Sequence, residues 1–323
     1  MLDTWSPDDL PAMVGLINAR IDADGGEDEP VTLAAITSVY DHLGACDPER
    51  DIVVARDTTG RACGYARVIR TDMADGVREY ALAFEGRPGV DRQMFAWAVA
   101  RAEELAATDP HPQPRLDAGA AEGTEREQII LDAGGFAAYS WSAVMVRPLD
   151  TEPPSLALPD GVTVRPVAPA DLRAIWDADV EAFRDHNHQA ATIGEDKWEQ
   201  FLVEVAGGTD LWQVAWDDHG VVGQVRTRVE PDEFEWRGRR RAWTEDISTR
   251  RDRRGQGIAS ALIATSLRQL TAAGFDEAAL GVDLDNPTGA LGVYERLGYQ
   301  VVQRYTGYRR SLPGAHGPRP QEG

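Results

Sequence analysis

Three landmarks recur along this chain at nearly one spacing. Asp9-Leu10 returns as Asp171-Leu172, 162 residues on; the turn glycine Gly60 returns as Gly220, 160 on; Gly135-Phe136 returns as Gly298-Tyr299, 163 on. Self-similarity at one period means two copies of one structural unit rather than two unrelated domains. A length of 323 residues accommodates two domains, and 42% hydrophobic residues supply a core for each. Between the copies, residues 148–160 hold Pro148, Pro153, Pro154 and Pro159 without apolar periodicity, and read as a linker.

Each copy opens the same way. Ser6-Pro7-Asp8-Asp9 is a helix-start signal ahead of Leu10, Met13, Val14, Ile17 and Ile21 at helical spacing. Pro169-Ala170-Asp171 precedes Leu172, Ile175, Trp176, Val180 and Phe183. A hairpin follows in each copy, 51–55 with 62–69 and 210–216 with 221–229. Residues 140–147, 162–167, 278–283 and 299–308 read as further strands, 109–114 as a loop, and 313–323 as a disordered tail.

The second copy contains a sharper feature. Trp243 to Thr249 reads as a strand, Arg250 to Arg254 as a basic turn, and Ile258 onward as a helix with Ala259, Ile263, Leu267 and Leu270 on one face. Gly255-Gln256-Gly257 joins turn to helix. The first N–H groups of a helix lack intrahelical partners and sit at the positive end of its dipole, so such a junction is an anion site. Glycines allow a phosphate to approach closely, and Arg253 and Arg254 add charge-assisted hydrogen bonds. The sequence lacks the Lys-Ser/Thr of a nucleotide-triphosphate loop and the third glycine of the dinucleotide fingerprint.

The spacing Arg254-x-x-Gly257-x-Ala259 instead resembles the pyrophosphate loop of the GCN5-related N-acetyltransferase (GNAT) superfamily. The run from Val282 through Asn286-Pro287 to Tyr294-Glu295-Arg296-Leu297-Gly298-Tyr299 is similar to its second signature, a strand ending at Asn and a short helix carrying a Tyr. The duplication is similar to tandem members of the mycothiol synthase-like group. The resemblance implies an α/β (α+β) fold of two tandem GNAT domains, each a mixed, mostly antiparallel central sheet flanked by helices. The expected division is a degenerate copy at 1–147, the linker at 148–160 and a catalytic copy at 161–312.

It further implies an N-acetyltransferase that uses acetyl-CoA as cosubstrate and a small-molecule primary amine as acceptor, by direct attack. Ile247, Ser248 and Thr249 would meet the pantetheine arm, and Arg253, Arg254, Gly255, Gln256, Gly257, Ile258 and Ala259 the pyrophosphate. Asn286 would hold the cofactor from the adjacent strand. Tyr294 is the expected acid toward the departing thiolate. Glu245 shares a face with Trp243 and Ile247 by strand alternation and is the expected base, with Asp246, on the other face, in reserve. Two alternatives stay open: mycothiol synthase proper, acetylating a cysteinyl-glucosaminyl-inositol, and a non-catalytic CoA-binding regulatory or scaffold protein.

The first copy departs from this pattern. Aligning Gly89-Val90 on Gly257-Ile258 sets Gly86 against Arg254 and Asp91 against Ala259; the 163 offset sets Gly123 against Asn286 and Leu131 against Tyr294. The chemistry is lost while the apolar framework persists, so residues 1–147 read as a structural or substrate-shaping copy.

Composition narrows the partners. The net charge of −21, from 33 basic and 54 acidic residues, disfavours nucleic acid. Cys46 and Cys63 show no metal spacing, and a reducing cytoplasm fits two free thiols. Met1 to Trp5 has neither a basic start nor an apolar run, so no secretion signal is expected, and with no apolar stretch long enough to cross a bilayer no membrane span is expected either. His186 and His188 lack a nearby third ligand and are not expected to hold a metal; the resemblance places them in a substrate-facing loop that would shape amine specificity. Arg237-Gly238-Arg239-Arg240-Arg241 reads as a solvated turn on a hairpin.

Overall fold

A computed structural model describes every residue except 29, 74, 110, 184–194, 286–288 and 315–323, and the side chains of 195–197, 200, 203, 204 and 232 also lie outside the description. His186, His188, Asn286 and nearly all of the expected tail therefore lie outside the described residues. The chain forms two compact units, Met1–Ser142 with Gln303–Gly323, and Ala143–Val302.

In the first unit the sheet runs in the order β1 (Leu2–Thr4), β2 (Ile52–Arg56), β3 (Ala62–Asp72), β4 (Arg78–Gly86), β5 (Pro114–Ala121) and β12 (Gln300–Ser311). Only β4 and β5 pair in parallel; the rest are antiparallel. Helices α1 (Leu10–Ala23), α2 (Leu33–Asp41), α3 (Asp91–Thr108) and α4 (Glu125–Asp132) complete it. Met94, Phe95, Ala98 and Ala102 of α3 pack on Tyr80, Leu82, Phe84 and Leu116. β5 corrects the expected loop, whose end at Pro114 is where this strand begins.

The second unit repeats the plan in the order β6 (Ala137–Pro148, its second half), β11 (Glu277–Asp283), β10 (Arg241–Thr249), β9 (Gly220–Arg228), β8 (Gln213–Asp217) and β7 (Thr163–Val164). Here β10 and β11 are parallel, and β10/β9, β9/β8 and β8/β7 are antiparallel. Helices α5 (Leu172–Phe183), α6 (Glu195–Ala206), α7 (Pro231–Arg237), α8 (Ile258–Ala272) and α9 (Ala290–Arg296) flank the sheet. Ile258, Leu262, Ile263, Leu267 and Leu270 of α8 are buried against Ala215, Val222, Val225, Ala242 and Leu280. Each such side chain contributes about 1.5–3 kcal/mol. Ala259, assigned above to this buried face, is half-buried instead.

A shared detail supports the duplication. A Cβ on Gly64 of β3 would lie 2.7 Å from Val90 Cγ1, and one on Gly223 of β9 would lie 3.0 Å from Ile258 Cγ2. Each unit thus needs a glycine where the start of its long helix rests on the sheet. Val90 stands to Gly64 as Ile258 stands to Gly223, which is the alignment used above.

The units differ from the contiguous division at 147 and 161. β12 pairs with β5 from Tyr305↔Ala121 to Ser311↔Arg115, so the last strand of the chain completes the first unit. The second unit begins at Ala143, inside β6. Residues 148–160 pack into the second unit: Leu149 is 6% exposed and its N–H donates to Asp276 O, and Arg268 Nη1 donates to Pro154 O at 2.7 Å. Prolines there fix an extended, packed segment. Where a hairpin turn was expected before β10, α7 begins with Pro231 at N1 and ends at Gly238 in the left-handed conformation (φ +66°).

Candidate active site

β10 and β11 pair only from Arg241↔Glu277 to Trp243↔Ala279, then part, although β10 runs on to Thr249 and β11 to Asp283. Below the fork, Thr244 Oγ1 donates to Ala279 O at 3.0 Å and lies 2.9 Å from Tyr299 Oη. Beyond it β10 carries a β-bulge between Glu245 and Ser248. The bulge puts Asp246 at φ +45°, a conformation that costs a non-glycine residue of order 1–3 kcal/mol and collects at functional sites.

A cavity of about 820 Å³ occupies the fork, within the range of about 300–1,000 Å³ usual for ligand pockets. Ile247, Ser248, Thr249, Arg253, Arg254, Gly255, Gly257, Ile258 and Ala259 all line it, together with Glu245 and Tyr294. Gln256 is exposed and does not, and Asn286 lies outside the described residues. Asp246 lines the cavity beside Glu245. The expected separation of these two carboxylates onto opposite faces fails because the bulge breaks strand alternation.

At the loop, Gly257 is the N-cap of α8 at φ +80°, and Gly255 sits at φ +75°. A Cβ at either would meet nothing within 4 Å, so the backbone conformation itself demands glycine here. A glycine cap offers no side-chain acceptor to the first-turn N–H groups, which leaves them for an anion. The arginines have structural duties as well. Arg254 donates to Thr249 O at 3.2 Å and to Ala182 O, near the end of α5, at 2.9 Å. Arg253 is paired with Asp217 and donates to Gln256 Oε1 at 3.1 Å.

Tyr294 on α9 is 8% exposed, its ring 6.1 Å from that of Tyr299. Burial pushes its hydroxyl up to about 12, so it keeps its proton at neutral pH and can donate. Glu245, about one-third exposed, pairs with Arg228 at 3.3 Å, which also pairs with Glu230 at 2.9 Å.

Sequence reasoning missed the residues behind the bulge. Asp179 of α5 accepts from Gln224 Nε2 at 2.7 Å and Arg226 Nη2 at 3.1 Å. Arg226 Nη2 also pairs with Asp246 at 2.7 Å. The signal was available: Asp179 falls on the same helical face as Ile175 and Trp176, where a carboxylate has to be satisfied. The arginine cluster before β10 is solvated only in its middle, at the exposed Arg239 and Arg240, and not at its two ends. Arg237 is buried with Glu233, and Arg241 with Glu277.

The first unit has the same fork in another state. β4 and β5 pair from Arg78↔Pro114 to Ala81↔Asp117 and then part. The gap is filled by Arg126 of α4, which donates to Gly119 O at 2.9 Å and to Phe84 O, its guanidinium 3.7 Å from the centroid of the Phe84 ring. Backbone acceptors beside the fork are consumed internally. The 163 offset places Gly289 opposite Arg126, so the second copy has a glycine at the position from which the first copy plugs its fork. Among the described residues no His/Cys/Asp/Glu cluster could hold a metal, and no helix is long and apolar enough to cross a membrane.

A model of the acetyltransferase (GNAT) family matches residues 172–299. A mycothiol acetyltransferase of Streptomyces scabiei is 32% identical over 165 residues, covering 50% of this chain and 50% of the relative. One from Salinispora arenicola is 28% identical over 330 residues, covering 96% and 95%. The chain thus spans about half the length of the first relative and nearly all of the second. Among solved structures, a GCN5-related N-acetyltransferase from Sphaerobacter thermophilus superposes with a TM-score of 0.72 at 24% identity, covering 98% of this chain and 97% of that one. A tandem GNAT protein from the clavulanic acid biosynthesis pathway gives 0.67 at 17%, covering 98% and 100%. Both likenesses agree with two tandem units of mostly antiparallel sheet. The forked strands and the glycine-capped helix both lie within residues 172–299, the stretch that matches the acetyltransferase (GNAT) family.

Proposed function

We propose that the second unit binds acetyl-CoA in the fork and transfers the acetyl group to the primary amine of a small molecule. The observation that carries this reading is the open fork between β10 and β11 beside the first turn of α8, where backbone groups, N–H donors and two arginines converge on one cavity. Those residues fit the group. The side of β10 that β11 leaves at Ile247 and Ser248 suits an amide-bearing arm, and the first turn of α8 with Arg253 and Arg254 suits a diphosphate.

Acetyl-CoA would supply the acyl thioester. Glu245, or Asp246 beside it, takes the proton of the attacking amine, directly or through water. Tyr294 holds a proton at Oη for the sulfur that leaves. In the first unit Arg126 occupies the corresponding gap and Asp91 the corresponding helix start, which supports one coenzyme per chain. The relatives named mycothiol acetyltransferase favour a cysteinyl-glucosaminide as the narrower choice of acceptor.

Calorimetric titration with coenzyme A tests the binding half: one site per chain is expected, and two of equal affinity would contradict it. Thiol release from acetyl-CoA across aminoglycosides, polyamines, amino acids and a cysteinyl-glucosaminide tests the rest. Binding without release by any amine would favour the non-catalytic alternative.

Two substitutions test the roles. Tyr294→Phe should lower kcat by about 10²-fold, a usual cost for losing a general acid, while coenzyme affinity holds. Glu245→Gln should lower turnover by about 10–10²-fold with the same retention; unchanged turnover would remove Glu245 from the mechanism.

A further inference from the structure

Resting on the acetyltransferase reading above, we propose that Asp246, tied through buried Arg226 to Asp179, is the docking point for the cationic form of the acceptor amine, and that Asp179 is the positioning residue that sets how much charge Asp246 presents to the cavity. The three side chains come from three elements. Asp179 lies on α5, Arg226 on β9 and Asp246 at the bulge of β10. Arg226 is 4% exposed and Asp179 7%, whereas the Asp246 side chain is 36% exposed and lines the cavity. Arg226 is enclosed by aromatic side chains: its guanidinium lies 5.2 Å from the Phe201 ring and 5.5 Å from the Trp212 ring.

Asp179 and Asp246 share the Arg226 guanidinium, so these three side chains together carry a net charge of −1 when both carboxylates are ionised. That surplus is expressed where solvent and substrate reach it, at Asp246. The left-handed backbone of Asp246 holds the carboxylate there at a conformational cost that the Arg226 contact offsets. An ammonium group is the acceptor chemistry that such a point attracts; a neutral hydroxyl or an anionic acceptor gains nothing from it.

Asp179 gives the arrangement a pH dependence. Burial pushes its carboxyl up to about 6, with the Asp246 charge adding to the rise and Arg226, Ser248 and Gln224 opposing it. Above that pH Asp179 is ionised and Arg226 is shared. Below it Asp179 takes a proton, Arg226 is left to neutralise Asp246 alone, and the hold on a cation weakens. The acceptor KM should therefore rise as pH falls through about 6, with the coenzyme KM unaffected.

Steady-state kinetics of wild type, Asp246→Asn and Asp179→Asn between about pH 5 and 8 test this, using the best amine from the panel. Asp246→Asn should raise the amine KM about tenfold, the usual worth of one lost charge contact, with coenzyme affinity unchanged. Asp179→Asn should raise it at neutral pH and abolish its rise at low pH, a change that mere loosening of α5 would not produce. Melting curves separate a folding defect, and Asp246→Asn, at the exposed end, serves if Asp179→Asn does not fold. Wild-type amine KM and an unaltered acidic limb in the variants would overturn the inference while leaving the acetyltransferase reading intact. Failure of every amine to release thiol with wild type would defeat that reading, and this inference with it.

Discussion

Replacing Ala259 with aspartate is expected to abolish coenzyme A binding while leaving the fold intact. Ala259 is the second residue of α8 and lines the cavity at its amino end. A carboxylate there would stand a few ångströms from a bound diphosphate. At about 5 Å and an effective dielectric near 20–80, each pair of like charges costs about 1–3 kcal/mol, so a diphosphate should lose about 10²–10³-fold in affinity. The first copy carries this substitution naturally, since Asp91 opens α3 at the aligned position. Stability should not suffer. An acidic residue in the first turn of a helix interacts favourably with its dipole, by about 0.3–1 kcal/mol, so the melting temperature should hold or rise. Ala259→Asn, of the same shape and no charge, should lose far less. Calorimetry on both variants checks the prediction, and an aspartate variant that binds coenzyme as wild type does would move the diphosphate away from α8.

What could be read in advance divides by how local its cause is. Gly257 and Gly255 were legible because one backbone conformation at one position demands them. The apolar side of α8 was legible because helical spacing marks it, and Tyr294 because the run through Leu297-Gly298-Tyr299 resembles a known signature. β5 was not: Arg115-Leu116-Asp117-Ala118-Gly119-Ala120-Ala121 has little that favours a strand, and it becomes one because β4 and β12 pair on its two edges. The assignment of β12 to the first unit was equally hidden, because a strand's own sequence does not name its partner. α7 was announced by Pro231 and Gly238, a start and stop pair that was passed over for a hairpin. The bulge was out of reach. No residue type at 245–248 signals it, yet it brings Asp246 to the cavity beside Glu245. Arg126 as the plug of the first fork follows from the parting of β4 and β5, a long-range fact.

Glu277→Ala should strongly destabilise the second unit. Arg241 is fully buried, and Glu277 is its cross-strand partner in the last paired stretch before the fork, with Nε donating to the Glu277 carboxylate at 2.6 Å. Arg239 shares that carboxylate at 2.8 Å. Removing Glu277 leaves a cation in the interior, a loss that costs about 3–5 kcal/mol. For a unit of this size each kcal/mol moves the melting temperature by about 2–4 °C, so a fall of roughly 6–20 °C is expected. The pair need not be stabilising in itself: exchanging Arg241 and Glu277 together for Met should recover most of the loss, because the cost comes from breaking a buried ion pair at one end. The position of the pair adds a functional readout. It fastens β10 to β11 at the start of the three-pair stretch that ends where they separate, so the single variant should also weaken coenzyme binding at temperatures where it remains folded. The double variant should restore both. Recovery of stability without recovery of binding would mean that the charges themselves, and not the joined strands, keep the fork in shape.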